Sequence, residues 1–319
     1  MAKHRKQHYI PQCYLSAWCD ANVPRGQTPY VWVFEKSGKR ADNKAPRNIF
    51  CETDMYTIHR ADGERDLVLE RGLSQLETEF AVLRKSVLTK GEALDPRQHF
   101  MICAFIAAID NRTPARRNHW GNMWNEMRER GESLIARYNA ATPEERGRMI
   151  SLHSGIGSPS RTGFTHDEVK ALAANPLQCM LPPLIQCLTP LLLKLDLAIF
   201  ETKDDLGFIT SDNPCVWFDP EACKRPPMSQ AASLGSETIE ITLPISPTQC
   251  LYMNRKGFYG YLSAPLPFVD EINRRTLFEA DQFFVVHKEM LKATWFDPGV
   301  EPKDSWRNRH PHNETTDEP

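Results

Sequence analysis

The sequence predicts an α+β protein: a helical middle region packed with a mostly antiparallel sheet, whose strands come from the N-terminal and C-terminal parts. Three observations predict it. Short β-branched and aromatic runs occur early, as in Tyr30-Val31-Trp32-Val33-Phe34. Between residues 66 and 194 the apolar positions recur at three and four, the helical period. After Leu195 the chain returns to short strand-like runs separated by turn residues.

Taken in order, the elements have local reasons. Lys36-Ser37-Gly38-Lys39 ends the first strand in a hairpin-like turn, and Met55-Tyr56-Thr57-Ile58-His59 reads as a second strand closed by Ala61-Asp62-Gly63-Glu64. Leu69, Leu73, Leu76, Phe80, Leu83 and Val87 form one buried stripe of a helix over 66–90. Glu70 and Glu77 lie seven apart beside that stripe, so they share a side of the helix. Asp95-Pro96 starts a second helix, with a capping residue before proline at the first helical position. Its run Phe100 to Ile109 is apolar nearly all round, which marks a core helix ending at Asp110-Asn111-Arg112-Thr113-Pro114. Pro114 kinks it or separates it from the next helix, 118–139. Thr142 and Thr165 sit where N-caps of further helices belong, with a loop expected over 151–164. A proline-broken helix is expected over 177–194.

In the last third, strands are expected at Leu195–Thr202, Phe208–Thr210, Cys215–Phe218, Thr238–Leu243, Gln249–Met253 and Gln282–His287. Thr238–Leu243 alternates as a half-buried strand would, and Phe268–Ala280 reads as a helix. The 319 residues are 41% hydrophobic and 25% charged, an ordinary globular balance. That length sits at the upper limit for one core. The expected organisation is a single α+β domain over 1–297, or two interleaved lobes, 1–194 mainly helical and 195–297 mainly strand. The acidic, proline-bearing tail 298–319 is expected to be disordered.

Composition also narrows function. A net charge of −2 gives no global positive field for nucleic acid, although a local basic patch is compatible with it. No apolar run reaches the length of about eighteen residues that a membrane-spanning helix needs, so no membrane association is expected. The start lacks a signal-like apolar segment, and the nine cysteines include no C-x-x-C pair. Buried reduced thiols and a cytoplasmic location follow as expectations.

The stretch His4 to Trp18 is unusual for a chain end. It concentrates histidines, cations, tyrosines, a proline and a tryptophan, and aromatics of that density go to a core. Such an anchored end would hold His8 against the body of the protein. Arg112 closes an apolar helix, where a guanidinium calls for a carboxylate or phosphate partner. Thr210-Ser211-Asp212-Asn213-Pro214 is a turn between strands that sets Asp212 at a strand end.

The ordered motifs His8-Tyr9-Ile10-Pro11-Gln12-Cys13-Tyr14-Leu15, Arg112-Thr113-Pro114, Phe208 to Pro214 and Leu243-Pro244-Ile245-Ser246-Pro247 resemble the DUF4238 family. That is a bacterial and fungal family of unknown function with an HxxP signature near the N-terminus. The resemblance spans residues 4–290, with His8-x-x-Pro11 matching the signature, and it implies no reaction.

Two functions are carried forward. In the first, the chain is a metal-dependent hydrolase, most plausibly a nuclease acting on nucleic acid. His8, Arg112 and Asp212 are its catalytic candidates. Asp212, Glu77 and His8 are candidate ligands of a divalent metal such as Mg²⁺, and Tyr9, Gln12, Ser211 and Asn213 are candidate substrate contacts. A nuclease needs oxygen ligands for a hard cation, a base for water and a cation for the phosphate. In the second, the chain is a non-enzymatic recognition module for a ligand or nucleic acid, and the same polar motifs are structural. The oligomeric state is left open by the sequence.

Overall fold

A computed structural model of the chain describes residues 5–20, 23–24, 26–60, 62–154 and 163–296. The tail expected over 298–319 and residues 155–162 of the expected loop lie outside the described residues. In chain order the N-terminal part holds β1 (Lys6–His8), the short helix α1 (Gln12–Leu15), β2 (Val31–Glu35), β3 (Ala41–Lys44), β4 (Cys51–Thr53), β5 (Ile58–His59) and β6 (Arg65–Asp66). The helical middle follows with α2 (Val68–Ser86), α3 (Pro96–Asn111), α4 (Pro114–Ala140), α5 (Pro143–Ser154), α6 (His166–Ala174) and α7 (Pro176–Leu192). The last part contains β7 (Asp196–Glu201), β8 (Thr210–Ser211), β9 (Val216–Phe218), β10 (Glu240–Ser246), β11 (Gln249–Asn254), β12 (Gly260–Ser263), α8 (Leu266–Glu279) and β13 (Phe283–Val286). The fold is α+β.

Two larger sheets organise the strands. One has the order β12-β7-β11-β10-β9, and the other β3-β2-β13-β8. Every pairing in them is antiparallel except β12 with β7, which run parallel. The second sheet joins strands from both ends of the chain, because β13 inserts between β2 and β8. The largest apolar cluster likewise draws on residues from Ile10 to Val285. At its centre lies α3, whose residues from Ile102 to Asn111 are all buried, with Phe105 stacked on Phe80 of α2 at 3.7 Å.

Helix starts follow local chemistry. The Asp95 side chain caps α3 in a reciprocal box with Gln98, and Thr165 does the same for α6 with Glu168. Pro114 separates two helices: Arg112 ends α3 and the Thr113 hydroxyl caps α4.

Several expectations are corrected. The segment 151–154 is the last turn of α5 and not loop. Helix α7 is continuous through Pro182, Pro183 and Pro190, because packing on α3 and α4 outweighs the lost backbone bonds. Strand β10 is not half buried. Both of its faces are covered, and even Glu240 is inside, paired with Arg275 at 2.6 Å. Of the expected strand Met55–His59 only β5 forms, and β1, β3, β4, β6 and β12 were not anticipated. All nine cysteines are free, but only Cys103, Cys215 and Cys250 are fully buried. Among the described residues no helix is long and apolar enough to cross a membrane.

Candidate functional site

The N-terminal segment is held by its aromatics. Pro11 accepts the first helical bonds of α1, which turns the chain inward. Tyr14 then donates its hydroxyl to the Pro244 carbonyl and contacts Thr210 Oγ1 at 2.7 Å. The Trp18 indole donates to the Phe208 carbonyl at 2.9 Å. These bonds tie residues near the start to β10 and to the segment entering β8. They satisfy the polar ends of fully buried rings.

With that end fixed, strand alternation sorts the side chains of β1. Gln7 points inward, accepting the Tyr56 N–H at 2.6 Å and donating to Thr57 Oγ1 at 3.1 Å. Lys6 and His8 face the other way, into a polar cleft of about 270 Å³. Its wall is completed by Gln12 and Cys13 of α1 and by Glu70, Ser74, Glu77 and Thr78 of α2. Four residues after His8, Gln12 brings its Nε2 to 3.3 Å from the imidazole Nδ1. The other ring nitrogen of His8 is buried and has no partner in hydrogen-bonding geometry. Burial lowers the His8 pKa. The backbone of Arg47 opposes the shift, while Lys6 and Arg112 add to it, so the ring is held neutral.

Arg112 lies behind this cleft. Its guanidinium, 2% exposed, binds the Glu77 carboxylate at 2.7 Å and the His8 carbonyl at 2.6 Å. The Tyr56 ring lies 5.7 Å from it, and the Tyr56 hydroxyl reaches the His8 carbonyl at 3.3 Å. Burial works against the charge of Arg112, but Tyr56 and Glu77 outweigh it and the net pKa shift is upward. Residues 104 and 35 positions apart in sequence are thereby clamped by one side chain (His8 to Arg112, and Glu77 to Arg112).

Asp212 sits elsewhere. Its carboxylate accepts three consecutive backbone N–H bonds, from Asp281 and Gln282 at 2.8 Å and from Phe283 at 2.9 Å. It pins the turn between α8 and β13 and does not line the cleft. Burial raises its pKa, and the three N–H donors oppose that shift. Ser211 Oγ accepts the Asn213 N–H at 3.1 Å, and Asn213 Nδ2 donates to the Glu279 carbonyl at 3.0 Å. Tyr9 turns away from His8, to within 5.8 Å of the Phe50 ring, and Asp212 helps raise its pKa after burial does. The expected metal set of Asp212, Glu77 and His8 is therefore not assembled. Among the described residues no three His, Cys, Asp or Glu side chains are grouped to hold a metal ion. The physical reason is position: Asp212 is held at the turn between α8 and β13 by three backbone N–H donors, away from the cleft that His8 and Glu77 line.

Asp110 pairs with Arg116 at 3.1 Å, and burial raises the pKa values of Asp110, Glu279 and Asp281. The sequence reading had Lys6 only as part of a basic run beside His8, and it missed Ser74, Thr78 and Tyr56. The spacing Glu70, Ser74, Glu77, Thr78 carries the signal, since offsets of four, seven and eight fall on one helical face.

The fold and site thus define an α+β protein with an N-terminal polar cleft, braced by a buried arginine clamp and a buried carboxylate pin. The chain belongs to the family DUF4238, described as protein of unknown function, whose model matches residues 6–289. No curated protein and no solved structure gives a match.

Proposed function

We propose that this protein is a recognition module for a small zwitterionic ligand such as an amino acid, with the interlocked polar motifs serving as its scaffold. The observation that supports the reading is the internal engagement of both charged motif residues. Arg112 is taken up by Glu77 and the His8 carbonyl, and Asp212 by three backbone N–H groups. The side chains that line the cleft supply the rest of the chemistry. They include one ammonium, Lys6, and the carboxylates Glu70 and Glu77, the latter already shared with Arg112, with Gln12, Ser74 and Thr78 between them. An amino acid offers the complementary pair of charges, and a cleft of about 270 Å³ suits a ligand of that size. Two carboxylates in the wall disfavour a polyphosphate, which argues against nucleic acid as the occupant. Nine free cysteines are in keeping with a reducing compartment, and we place the protein in the cytoplasm.

Calorimetric titration with the common amino acids tests the reading. At least one should bind saturably, and Lys6→Gln and Glu70→Gln should each weaken it about tenfold or more, the scale of a lost charge-assisted hydrogen bond. Failure of every amino acid to bind refutes it. The competing hydrolase is tested by incubating DNA and RNA with Mg²⁺ or Mn²⁺. Degradation by the wild type that is lost in both His8→Ala and Asp212→Ala would replace the recognition reading.

A further inference from the structure

Donors and acceptors are unequally spent in the cleft at His8. Lys6, Gln12, Ser74 and Thr78 are all exposed, so an occupant of the cleft can reach them. Several donors in this wall are nevertheless turned back onto the protein. The Thr78 hydroxyl donates to the Ser74 carbonyl one turn earlier in α2, at 2.8 Å. The Cys13 thiol donates to the Glu77 carbonyl at 3.5 Å. Gln12 brings its Nε2 to 3.3 Å from Nδ1 of His8.

His8 governs the last of these contacts. A neutral imidazole accepts at Nδ1 when its proton sits on Nε2. Nε2 is the enclosed ring nitrogen, and the backbone of Arg47 and Pro46 favours a proton on the ring. With the proton assigned there, Gln12 offers its NH₂ group to Nδ1, and its amide oxygen Oε1 is left to the cleft.

The wall is therefore rich in acceptors. They are Oε1 of Gln12, the lone pairs of Thr78 and the carboxylate oxygens of Glu70 and Glu77. The Ser74 hydroxyl can play either part. Lys6 is the ammonium of the wall, with one of its three protons on Asn48 Oδ1 at 3.4 Å. An amino acid would set its carboxylate at Lys6 and its α-ammonium at Glu70. What remains of the wall then asks for a side chain that donates. An aliphatic side chain would strip water from those acceptors and return nothing. A carboxylate would face Glu70 and Glu77, charges of its own sign.

Resting on the recognition reading above, we propose that the cleft selects an amino acid whose side chain ends in nitrogen donors, and that His8 is a positioning residue that imposes the choice by fixing the amide of Gln12.

The test is calorimetric titration of the full chain at neutral pH with two matched pairs. Lysine and norleucine share a chain length and differ in ammonium against methyl. Glutamine and glutamate share a shape and differ in donor against acceptor. Lysine should bind about tenfold or more tighter than norleucine, and glutamine likewise tighter than glutamate, the scale of a hydrogen bond to a charged group. His8→Leu releases the Gln12 amide to turn, so the preference for glutamine over glutamate should fall about threefold or more, with circular dichroism confirming that the variant is folded. Gln12→Met removes the amide, leaves His8 in place and should lower the same ratio. A merely structural role of His8 would weaken all four ligands together and keep the ratio. Norleucine equal to lysine, or glutamate equal to glutamine, overturns the selectivity while leaving amino-acid recognition standing. A ratio unchanged in both folded variants overturns the part given to His8. Silence from lysine and glutamine while another amino acid binds overturns this inference alone, and silence from every amino acid removes the recognition reading with it.

Discussion

Replacing Arg112 by methionine removes the charge and keeps most of the apolar stem. The guanidinium it deletes is 2% exposed, while its partner Glu77 is 21% exposed. Breaking a buried pair by removing one member costs about 3–5 kcal/mol, because the survivor is left uncompensated. Glu77 borders the cleft and can rehydrate, which moves the expected loss to the lower end, about 3 kcal/mol. In the same step the Tyr56 ring loses its cation, and the His8 carbonyl loses its shorter donor and keeps only the Tyr56 hydroxyl at 3.3 Å. Against a typical total stability of about 5–15 kcal/mol, that is a large fraction. Urea unfolding followed by tryptophan fluorescence and circular dichroism measures it. Glu77→Gln should be costly too, because it strands the buried guanidinium. The double variant Arg112→Met with Glu77→Gln should cost less than the sum of the singles, by a coupling of about 0.5–3 kcal/mol. Arg112→Lys should recover little, since one ammonium cannot reproduce the planar fork that spans carboxylate and carbonyl. A loss below about 1 kcal/mol for Arg112→Met, the value of an exposed ion pair, would refute the clamp. So would strict additivity of the two single changes.

Other outcomes follow from the same geometry. Asp212→Asn leaves at least one buried N–H of the turn at Asp281–Phe283 unmatched, and should lower stability by about 1–3 kcal/mol in the same urea assay. A loss within error would mean that water serves that turn. Glu279 has a folded-state pKa above its unfolded value, burial being the main cause. Its ionised form therefore penalises the folded state above the folded pKa, and the penalty fades as pH falls through that value towards the unfolded one. Glu279→Gln should raise the urea midpoint at neutral pH and leave it unchanged near about pH 4; a midpoint that falls at neutral pH contradicts the sign. Gly207 has φ +56°, and a Cβ there would collide with the Pro247 carbonyl oxygen. Gly207→Ala should cost about 2–5 kcal/mol from left-handed strain and overlap together, and a neutral result would show that the segment before β8 can shift.

How much of the site was legible depends on whether its signal is local. The anchoring of the N-terminus could be read from Tyr14 and Trp18, because large aromatics in that density must be buried. Glu70 and Glu77 could be read onto one side of α2, because helical spacing alone sets that. Asp212 could not be placed. A turn carboxylate looks the same in sequence whether it faces a cleft or the N–H groups of a turn some seventy residues later. Strand β12 was missed for a related reason. It pairs in parallel with β7, a partner that sequence neighbours do not reveal.

By itself, then, the amino-acid order determined the α+β class, the caps at Asp95, Thr142 and Thr165, and the apolar faces of the helices. Each depends on residues within a turn or two of one another. Only the tertiary structure decided that Arg112 faces Glu77, that Asp212 serves the turn at Asp281–Phe283, and that α7 runs unbroken through its prolines. Those outcomes follow from which distant groups compete for each charge and each buried surface. That competition is settled when the chain ends meet in the shared sheet and core.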